Sequence, residues 1–229
     1  MATLSLMDDS GPFDVTLLDA AKPRGIVLFS VGAGGNPERH LPLLAHMAEQ
    51  GFAVVASHFA RLGSPHPTDG DLLLRARRLR LALDVIAHPD SIVVGVGHSI
   101  GATVLLALAG GQLWMRAGHR LPIGRDDRLR KLVLLAPATR FFQAPGALDD
   151  VRTPILAWVG TKDTITPPSQ TEFLKQTLQG RVPVDVRVES GAGHFSFMHV
   201  PPPNVEESLA NRGALLDRLA NSMLSFATA

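Results

Sequence analysis

The stretch Ser91-Ile-Val-Val-Gly-Val-Gly-His-Ser-Ile-Gly-Ala102 decides the predicted fold. It contains a G-x-S-x-G pattern centred on Ser99, with a strand pattern before it and a helical pattern after it, and this is the context that the motif requires. A serine on such a tight turn takes strained backbone angles, and Gly97 and Gly101 leave the room for it. The same five positions also fit an ordinary glycine-rich turn, but the flanking strand and helix favour a nucleophile.

Short β-branched runs alternate with longer helical patterns along the rest of the chain, which predicts an α/β protein with a doubly wound, mostly parallel sheet of about six or seven strands. The predicted strands are Val15–Leu18 at an edge, Ile26–Ser30, Phe52–Ala56, Ser91–Val96, Lys131–Ala136, Ile155–Val159 and Val184–Val188. The predicted helices are residues 37–50, a helix from Asp71 to about Ile86, and residues 99–115, 168–178 and 206–226. No repeat or long linker interrupts this order, so residues 1–229 are predicted to form a single domain.

The composition is that of an ordinary globular protein, with 45% hydrophobic residues, 19% charged residues and a net charge of +1. This balance predicts no nucleic-acid and no membrane partner. The densest basic stretch, Arg75–Arg80, lies inside an amphipathic helical pattern and is interpreted as a solvated helix face. The chain has no cysteine and no tyrosine, which removes disulfides, thiolate metal sites and cysteine nucleophiles.

The N-terminus shows no basic segment followed by an apolar run, so no secretory signal is predicted. The longest apolar stretch, around residues 103–109, is far too short to cross a bilayer. A cytoplasmic protein is therefore expected.

Two further residues follow predicted strands and complete a possible catalytic set with Ser99. Asp163 comes just after the strand ending at Val159, and His194 comes just after the strand ending at Val188. In a parallel sheet both loops lie at the same edge as the serine turn. A serine hydroxyl needs an adjacent base that a third group orients, and the chain order Ser, Asp, His is the one expected for this motif.

Each of these two residues also has a simpler interpretation. An Asp before Thr and Pro is often only a turn or helix cap. Among the nine histidines, His199 is the chief alternative base, although it lacks the glycine-flanked setting of His194. His98 either lines the pocket or makes a structural contact.

Acyl transfer also requires backbone N–H donors for the developing oxyanion. One predicted donor is the N–H of Ile100, the residue after the serine. The second is predicted in Gly32-Ala-Gly-Gly35, with Ala33 preferred and Gly32 as the alternative. As a dinucleotide fingerprint this stretch lacks the full G-x-G-x-x-G spacing.

At this point the sequence resembles the α/β-hydrolase superfamily, and within it the small bacterial dienelactone-hydrolase-like proteins. The resemblance rests on Gly32–Gly35, Gly97–Gly101, Gly160–Asp163 and Gly193–Phe195. It implies a Ser or Cys nucleophile with His and Asp, no metal and no organic cofactor. Dienelactone hydrolases use cysteine at the position of Ser99, and the serine here favours a general esterase. Val31 stands before Gly32 where many relatives carry histidine, so the choice of the oxyanion donor stays open.

These features predict a serine hydrolase that cleaves an ester-like acyl bond of a small molecule, with an oligomeric state that the sequence does not fix. Only Pro137–Pro154 is available for a lid, so a large cap domain is not expected. The predicted pocket walls are phenylalanines, which suggest an apolar acyl or alcohol group: Phe59, Phe141, Phe142, Phe195 and Phe197. The alternatives are a thioesterase, amidase, perhydrolase or lyase on the same residues, or a non-catalytic binding protein of the same fold.

Overall fold

The computed structural model describes residues 1–20, 22–64, 66–88, 91–205, 207 and 209–229. Its strands are β1 (Ala2–Asp8), β2 (Gly11–Leu18), β3 (Gly25–Ser30), β4 (Phe52–Ser57), β5 (Val93–His98), β6 (Leu129–Leu135), β7 (Ile155–Gly160) and β8 (Val184–Glu189). Its helices are α1 (Leu41–Glu49), α2 (Asp69–Asp84), α3 (Ile100–Leu108), α4 (Pro168–Leu178) and α5 (Arg212–Thr228).

The strands form one sheet in the order β1-β2-β4-β3-β5-β6-β7-β8. Strands β3 to β8 pair in parallel, while β1 and β2 pair antiparallel. Every residue of β3, β4, β5 and β7 is buried, because helices cover both faces of the sheet. One apolar cluster packs against α2, α3 and α4, and the other packs against α1 and α5. The predicted doubly wound α/β fold is confirmed.

The sheet has eight strands rather than six or seven because the sequence analysis missed β1. Its residues alternate between exposed and partly buried positions, so it lacks the apolar run that marks a buried strand. The strand predicted at Val15–Leu18 begins at Gly11 and lies between β1 and β4 rather than at an edge. The edges are β1 and β8, and β8 exposes Asp185 and Arg187 as an ion pair.

Several helix ends differ from the predicted ones for local reasons. The chain leaves α3 at Leu108 rather than Met115, since Gly110 takes φ +110° and turns the backbone away. Helix α2 begins two residues earlier than predicted, where Thr68 and Asp71 form a reciprocal capping box. The helix predicted for residues 37–50 is a 3₁₀ turn, Pro37–His40, followed by α1. Helix α5 begins at Arg212, and the predicted start at Glu206 lies outside the described residues.

The interpretation of Arg75–Arg80 as a solvated face is wrong for Arg75 and also for Arg78, whose side chain is only 11% exposed and is bound to Asp8. The side chains of Arg77 and Arg80 are 40% and 33% exposed, as a helix surface requires. Arg75 is only 1% exposed and lies among the buried residues of α2. Its spacing explains the difference, because Arg75 lies three residues after Leu72 and four before Leu79, on the apolar face of the helix.

The segment between β6 and β7, residues 136–154, carries one 3₁₀ turn, Arg140–Phe142, and forms no cap domain. The carboxyl ends of the parallel strands are therefore left without a lid from this segment. None of the helices in the described part of the chain is long and apolar enough to span a membrane.

Candidate active site

Ser99 occupies the turn between β5 and α3 with φ 55° and ψ −123°. A positive φ in a residue other than glycine costs about 1–3 kcal/mol, and such strain is concentrated at functional sites. A Cβ atom at Gly97 would lie 2.7 Å from the Ala102 nitrogen, and one at Gly101 would lie 2.0 Å from the Ser30 carbonyl oxygen. Both glycines are thus required by close backbone approach around the serine.

Asp163 and His194 meet in a buried hydrogen bond. The loops after β7 and β8 bring the Asp163 Oδ2 atom to 2.8 Å from His194 Nδ1. The two residues are 3% and 7% exposed. Because a carboxylate oxygen accepts, Nδ1 carries the proton and donates it, which leaves His194 Nε2 with its lone pair in the neutral ring. This is the tautomer that a general base needs.

The carboxylate of Asp163 is held in its charged form. Burial alone would raise its pKa, but the hydrogen bonds from His194 and Thr166 outweigh burial and hold the pKa of Asp163 below its usual range. Its Oδ1 atom also accepts the N–H groups of Ile165 at 2.9 Å and Thr166 at 2.7 Å. Oδ1 therefore caps the turn, as the simpler interpretation of Asp163 predicts, while Oδ2 binds His194.

Thr166 is a part of this network that the sequence analysis missed. Its hydroxyl oxygen lies 2.7 Å from Asp163 Oδ2, 3.0 Å from the Ala136 carbonyl oxygen and 3.0 Å from His194 Nδ1. Its single hydrogen can be donated either to the carboxylate or to the carbonyl at the end of β6. A threonine three residues after an aspartate in a strand-end turn is the available signal.

The serine and the histidine line the same cavity, which has a volume of about 600 Å³. Within the described residues no hydrogen bond joins the Ser99 hydroxyl to His194, and bonds of this kind are often long until substrate is bound. Apolar side chains supply much of the wall: Val31, Leu62, Ile100, Ile165, Phe195 and Met198. Basic side chains also reach it: Arg39, Arg61 and Arg140.

The structure places both predicted oxyanion donors at this cavity. Ala33 and Ile100 line it, and neither backbone N–H makes a hydrogen bond within the part of the chain that the structure describes. The two segments are in close contact, since a Cβ atom on Gly32 would lie 3.4 Å from Ser99 Cβ. Two unbonded N–H groups beside a serine form an arrangement that can accept a developing oxyanion.

Of the predicted phenylalanine walls, the structure brings only Phe195 to the cavity. Phe141 and Phe142 pack in the core beside α3, and Phe197 is fully buried beneath the other face of the sheet. Phe59 packs against the buried Arg75 guanidinium instead. His199, the alternative base, does not line the cavity. The sequence alone does not distinguish phenylalanines of the hydrophobic core from phenylalanines that line the cavity, because both environments favour the same apolar residue type.

A row of three imidazoles runs from His194 into the core. The ring centroids of His98 and His194 are 4.9 Å apart, and those of His40 and His98 are 5.3 Å apart. The His98 Nε2–H donates to the His194 carbonyl oxygen at 3.0 Å, and His98 also lines the cavity, so both of the roles considered for it from the sequence are present. Burial lowers the pKa of His98 to about 3 and holds the pKa of His40 well below its usual range, so both rings are neutral at pH 7.

The two neutral histidines make stability depend on pH. Below about pH 6.5 the unfolded chain binds protons at His40 and His98, whereas the folded protein does not. The stability they contribute is thus complete above pH 6.5 and falls as the pH drops. For His98 this lowers the free energy of unfolding by about 1.4 kcal/mol per pH unit between about pH 6 and pH 4, and His40 adds to the decrease in the same direction. Urea unfolding at pH 7, 6 and 5 measures this.

Two variants separate this effect from general acid sensitivity. His40→Gln should remove one histidine's share of the slope, whatever it does to the stability at pH 7. His66→Gln, which removes an exposed loop histidine instead of a buried one, is the matched control. Equal unfolding free energies at pH 7 and pH 5 in the parent protein would contradict the prediction.

Comparison with known proteins places this site in a recognised architecture. Neither protein-family models nor curated protein sequences match the chain. Solved structures do match. An α/β serine hydrolase homologue from Coxiella burnetii aligns with a TM-score of 0.67 and 18% identity over 97% of both chains. A thermophilic esterase from Thermogutta terrifontis aligns with a TM-score of 0.67 and 15% identity over 98% of this chain and 90% of its own.

An Agrobacterium tumefaciens protein of unknown function gives a TM-score of 0.70 at 16% identity, over 97% of this chain and 94% of that one. At these identities the likeness concerns the fold, and the narrower resemblance to dienelactone-hydrolase-like proteins stays a prediction. The strand order, the position of the serine turn after β5 and the matches to solved structures all indicate the same fold. The chain has the fold of the α/β-hydrolase superfamily.

Proposed function

We propose that this protein is a serine hydrolase that cleaves an ester-like acyl bond of a small molecule through Ser99, His194 and Asp163. The observation that carries the proposal is the hydrogen-bonded Asp163–His194 pair at 2.8 Å, at a cavity that also exposes the strained Ser99 turn. Three chain segments far apart in sequence supply the alcohol, the imidazole and the carboxylate of such a mechanism.

In the first half-reaction the Ser99 oxygen attacks the acyl carbon while His194 Nε2 takes the serine proton. The charge that develops on the substrate oxygen is accepted by the N–H groups of Ala33 and Ile100. The imidazolium then gives its proton to the leaving alcohol, and the C–O bond breaks to leave an acyl-serine. Asp163 stays ionised throughout and stabilises the imidazolium.

In the second half-reaction a water molecule gives its proton to His194 and attacks the acyl-serine carbon. Collapse of the tetrahedral intermediate releases the carboxylic acid and returns the proton to Ser99. The two half-reactions together consume one water and one ester and need no metal or organic cofactor.

The apolar wall of the cavity, with Leu62, Phe195 and Met198, supports a substrate with an apolar acyl or alcohol group.

Covalent capture by an organophosphorus reagent tests the proposal. The Thermogutta esterase, whose fold is similar, is phosphorylated by paraoxon. A fluorophosphonate probe should label this protein at a single site, and peptide mass spectrometry should locate the adduct on Ser99. An unactivated serine does not react in this way.

The matched control is Ser225→Ala, which removes a serine from the exposed face of α5 and should leave labelling intact. Ser99→Ala should abolish it. Absence of labelling in the parent protein, at probe concentrations that label an esterase run in parallel, would favour a non-catalytic binding protein and overturn the proposal.

A further inference from the structure

A fully buried guanidinium lies behind the Gly32–Gly35 loop. The Arg75 Nη1 atom donates to the Val31 carbonyl oxygen at 3.0 Å and to the Gly32 carbonyl oxygen at 3.2 Å. The guanidinium carbon sits 4.6 Å from the centroid of the Phe59 ring. Helix α2 thereby reaches across the core to the loop that borders the cavity, although Arg75 itself does not line it.

This arginine is charged and has no ion-pair partner among the described residues. Burial lowers the pKa of Arg75 to about 10, which still leaves it protonated at pH 7. Its Nη2 atom is buried without a hydrogen-bond partner. Asp71, one turn earlier on α2, offsets part of this burial and raises the pKa of Arg75 without forming an ion pair with it. Removing a cation from water without a contacting counterion costs several kcal/mol, and a side chain that only filled this space would carry no such cost.

Four carbonyl groups of this loop segment are held by donors within the protein, and that of Gly32 also accepts the Gly35 N–H at 3.2 Å. Arg75 binds those of Val31 and Gly32, the Leu62 N–H binds that of Ala33 at 2.9 Å, and the Phe59 N–H binds that of Gly35 at 2.9 Å. Peptide groups are planar and trans, so each N–H points opposite to the carbonyl of its own peptide. The N–H groups of the two peptides whose oxygens Arg75 binds therefore point away from the arginine.

The Gly32 carbonyl and the Ala33 N–H belong to one peptide group. Arg75 therefore binds the oxygen of the amide whose N–H belongs to Ala33, a residue that lines the cavity together with Ser99. A cation hydrogen-bonded to the carbonyl draws electrons through the amide and makes the N–H a stronger donor. The Arg75 guanidinium, the Gly32–Ala33 peptide and a substrate oxyanion would then form one hydrogen-bonded chain.

We propose that Arg75 is a positioning residue for the oxyanion hole: it fixes the Gly32–Ala33 peptide and polarises its N–H toward the negative charge of the transition state. The proposal rests on the proposed acyl transfer at Ser99 and adds a specific electrostatic role to a residue that never touches substrate. A purely structural arginine would affect folding but not the turnover of each folded molecule.

The test compares Arg75→Met, Arg75→Gln and Arg75→Lys, with Arg77→Met as the matched control. Arg77 lies on the same helix but is bound to Asp8, on a part of the surface that does not border the cavity. For each protein, kcat and KM for p-nitrophenyl acetate are measured per active site, and the sites are counted by complete reaction with a fluorophosphonate. Thermal unfolding midpoints are recorded in parallel.

Arg75→Met and Arg75→Gln should lower kcat per titrated site by about 10- to 100-fold, with KM changed less than threefold, because the interaction acts mainly in the transition state. Arg75→Lys, which keeps the charge and a donor, should stay within about fivefold of the parent. Arg77→Met should match the parent. Glutamine serves as the neutral variant if methionine does not fold.

Parental kcat per site in the neutral variants would overturn the proposal, however far their unfolding midpoints fall. Equal losses in the lysine and the neutral variants would overturn the electrostatic role too. A parent protein that turns over no ester would instead refute the proposed function. The two failures are therefore distinguishable.

Discussion

Ser99→Ala should lower kcat for p-nitrophenyl acetate by about 10⁵- to 10⁶-fold, close to the background that oxyanion donors and binding alone support. No other hydroxyl at this cavity sits on a strained turn next to unbonded N–H groups, within the residues that the structure describes. Alanine keeps the backbone and removes only the attacking oxygen. Steady-state hydrolysis at pH 7.5, with circular dichroism to confirm the fold, is the measurement.

The same assay on Ser225→Ala supplies the control, since this change also removes one hydroxyl but far from the cavity, on α5. It should keep turnover within about twofold of the parent. Parental hydrolysis by purified Ser99→Ala would mean that another group attacks the ester, and the mechanism proposed above would be wrong.

Asp163→Asn should lower kcat by about 10³- to 10⁴-fold at neutral pH while KM changes little. The carboxamide has nearly the same shape, but its NH₂ group cannot accept the proton of His194 Nδ1. The N–H groups of Ile165 and Thr166 both donate to Oδ1, so the amide oxygen of asparagine is held at the turn and its nitrogen takes the place of Oδ2 beside the imidazole. The ring is then pushed to the tautomer that lacks a free Nε2 lone pair.

The matched control is Asp185→Asn, which breaks a surface ion pair with Arg187 on β8. Exposed pairs contribute only about 0–1 kcal/mol, so this variant should keep its activity and nearly all of its stability. Asp163→Asn with parental kcat, beside an inactive Ser99→Ala, would show that the carboxylate only caps its turn.

The arrangement of Ser99, Asp163 and His194 was open to prediction because it depends on local rules. Glycines flank a serine between a strand and a helix, and the other two side chains each follow a strand. Parallel strands end at one edge of a sheet, so sequence order alone brings these loops together. The contact between Asp163 and His194 further depends on β7 and β8 being neighbours in the sheet, which the structure shows.

Arg75 shows where sequence reasoning stops. Four arginines in six residues are typical of a solvated surface. The overall polarity of this stretch makes it easy to overlook that Arg75 lies on the apolar face of the helix, between Leu72 and Leu79. The pattern could have indicated a buried arginine, but not its acceptors. The carbonyls of Val31 and Gly32 lie more than 40 residues away and have no signature in the sequence.

The missed strand β1 and the misplaced pocket walls have related causes. Strand β1 gains stability by pairing with β2 rather than from burial, so its side chains reveal little. The phenylalanines at 141 and 142 are equally suited to a core and to a cavity, and only the path of the chain after β6 decides between them. Tertiary context sets both outcomes.

The ion-paired edge of the sheet bears on how the protein behaves at high concentration. An edge strand offers unpaired N–H and C=O groups to any other copy of the chain, and an apolar one would recruit them into a growing ribbon. On β8 the exposed Asp185 and Arg187 would have to lose their hydration before a second strand could dock. Aggregation from this side is disfavoured by charge, without any additional covering element.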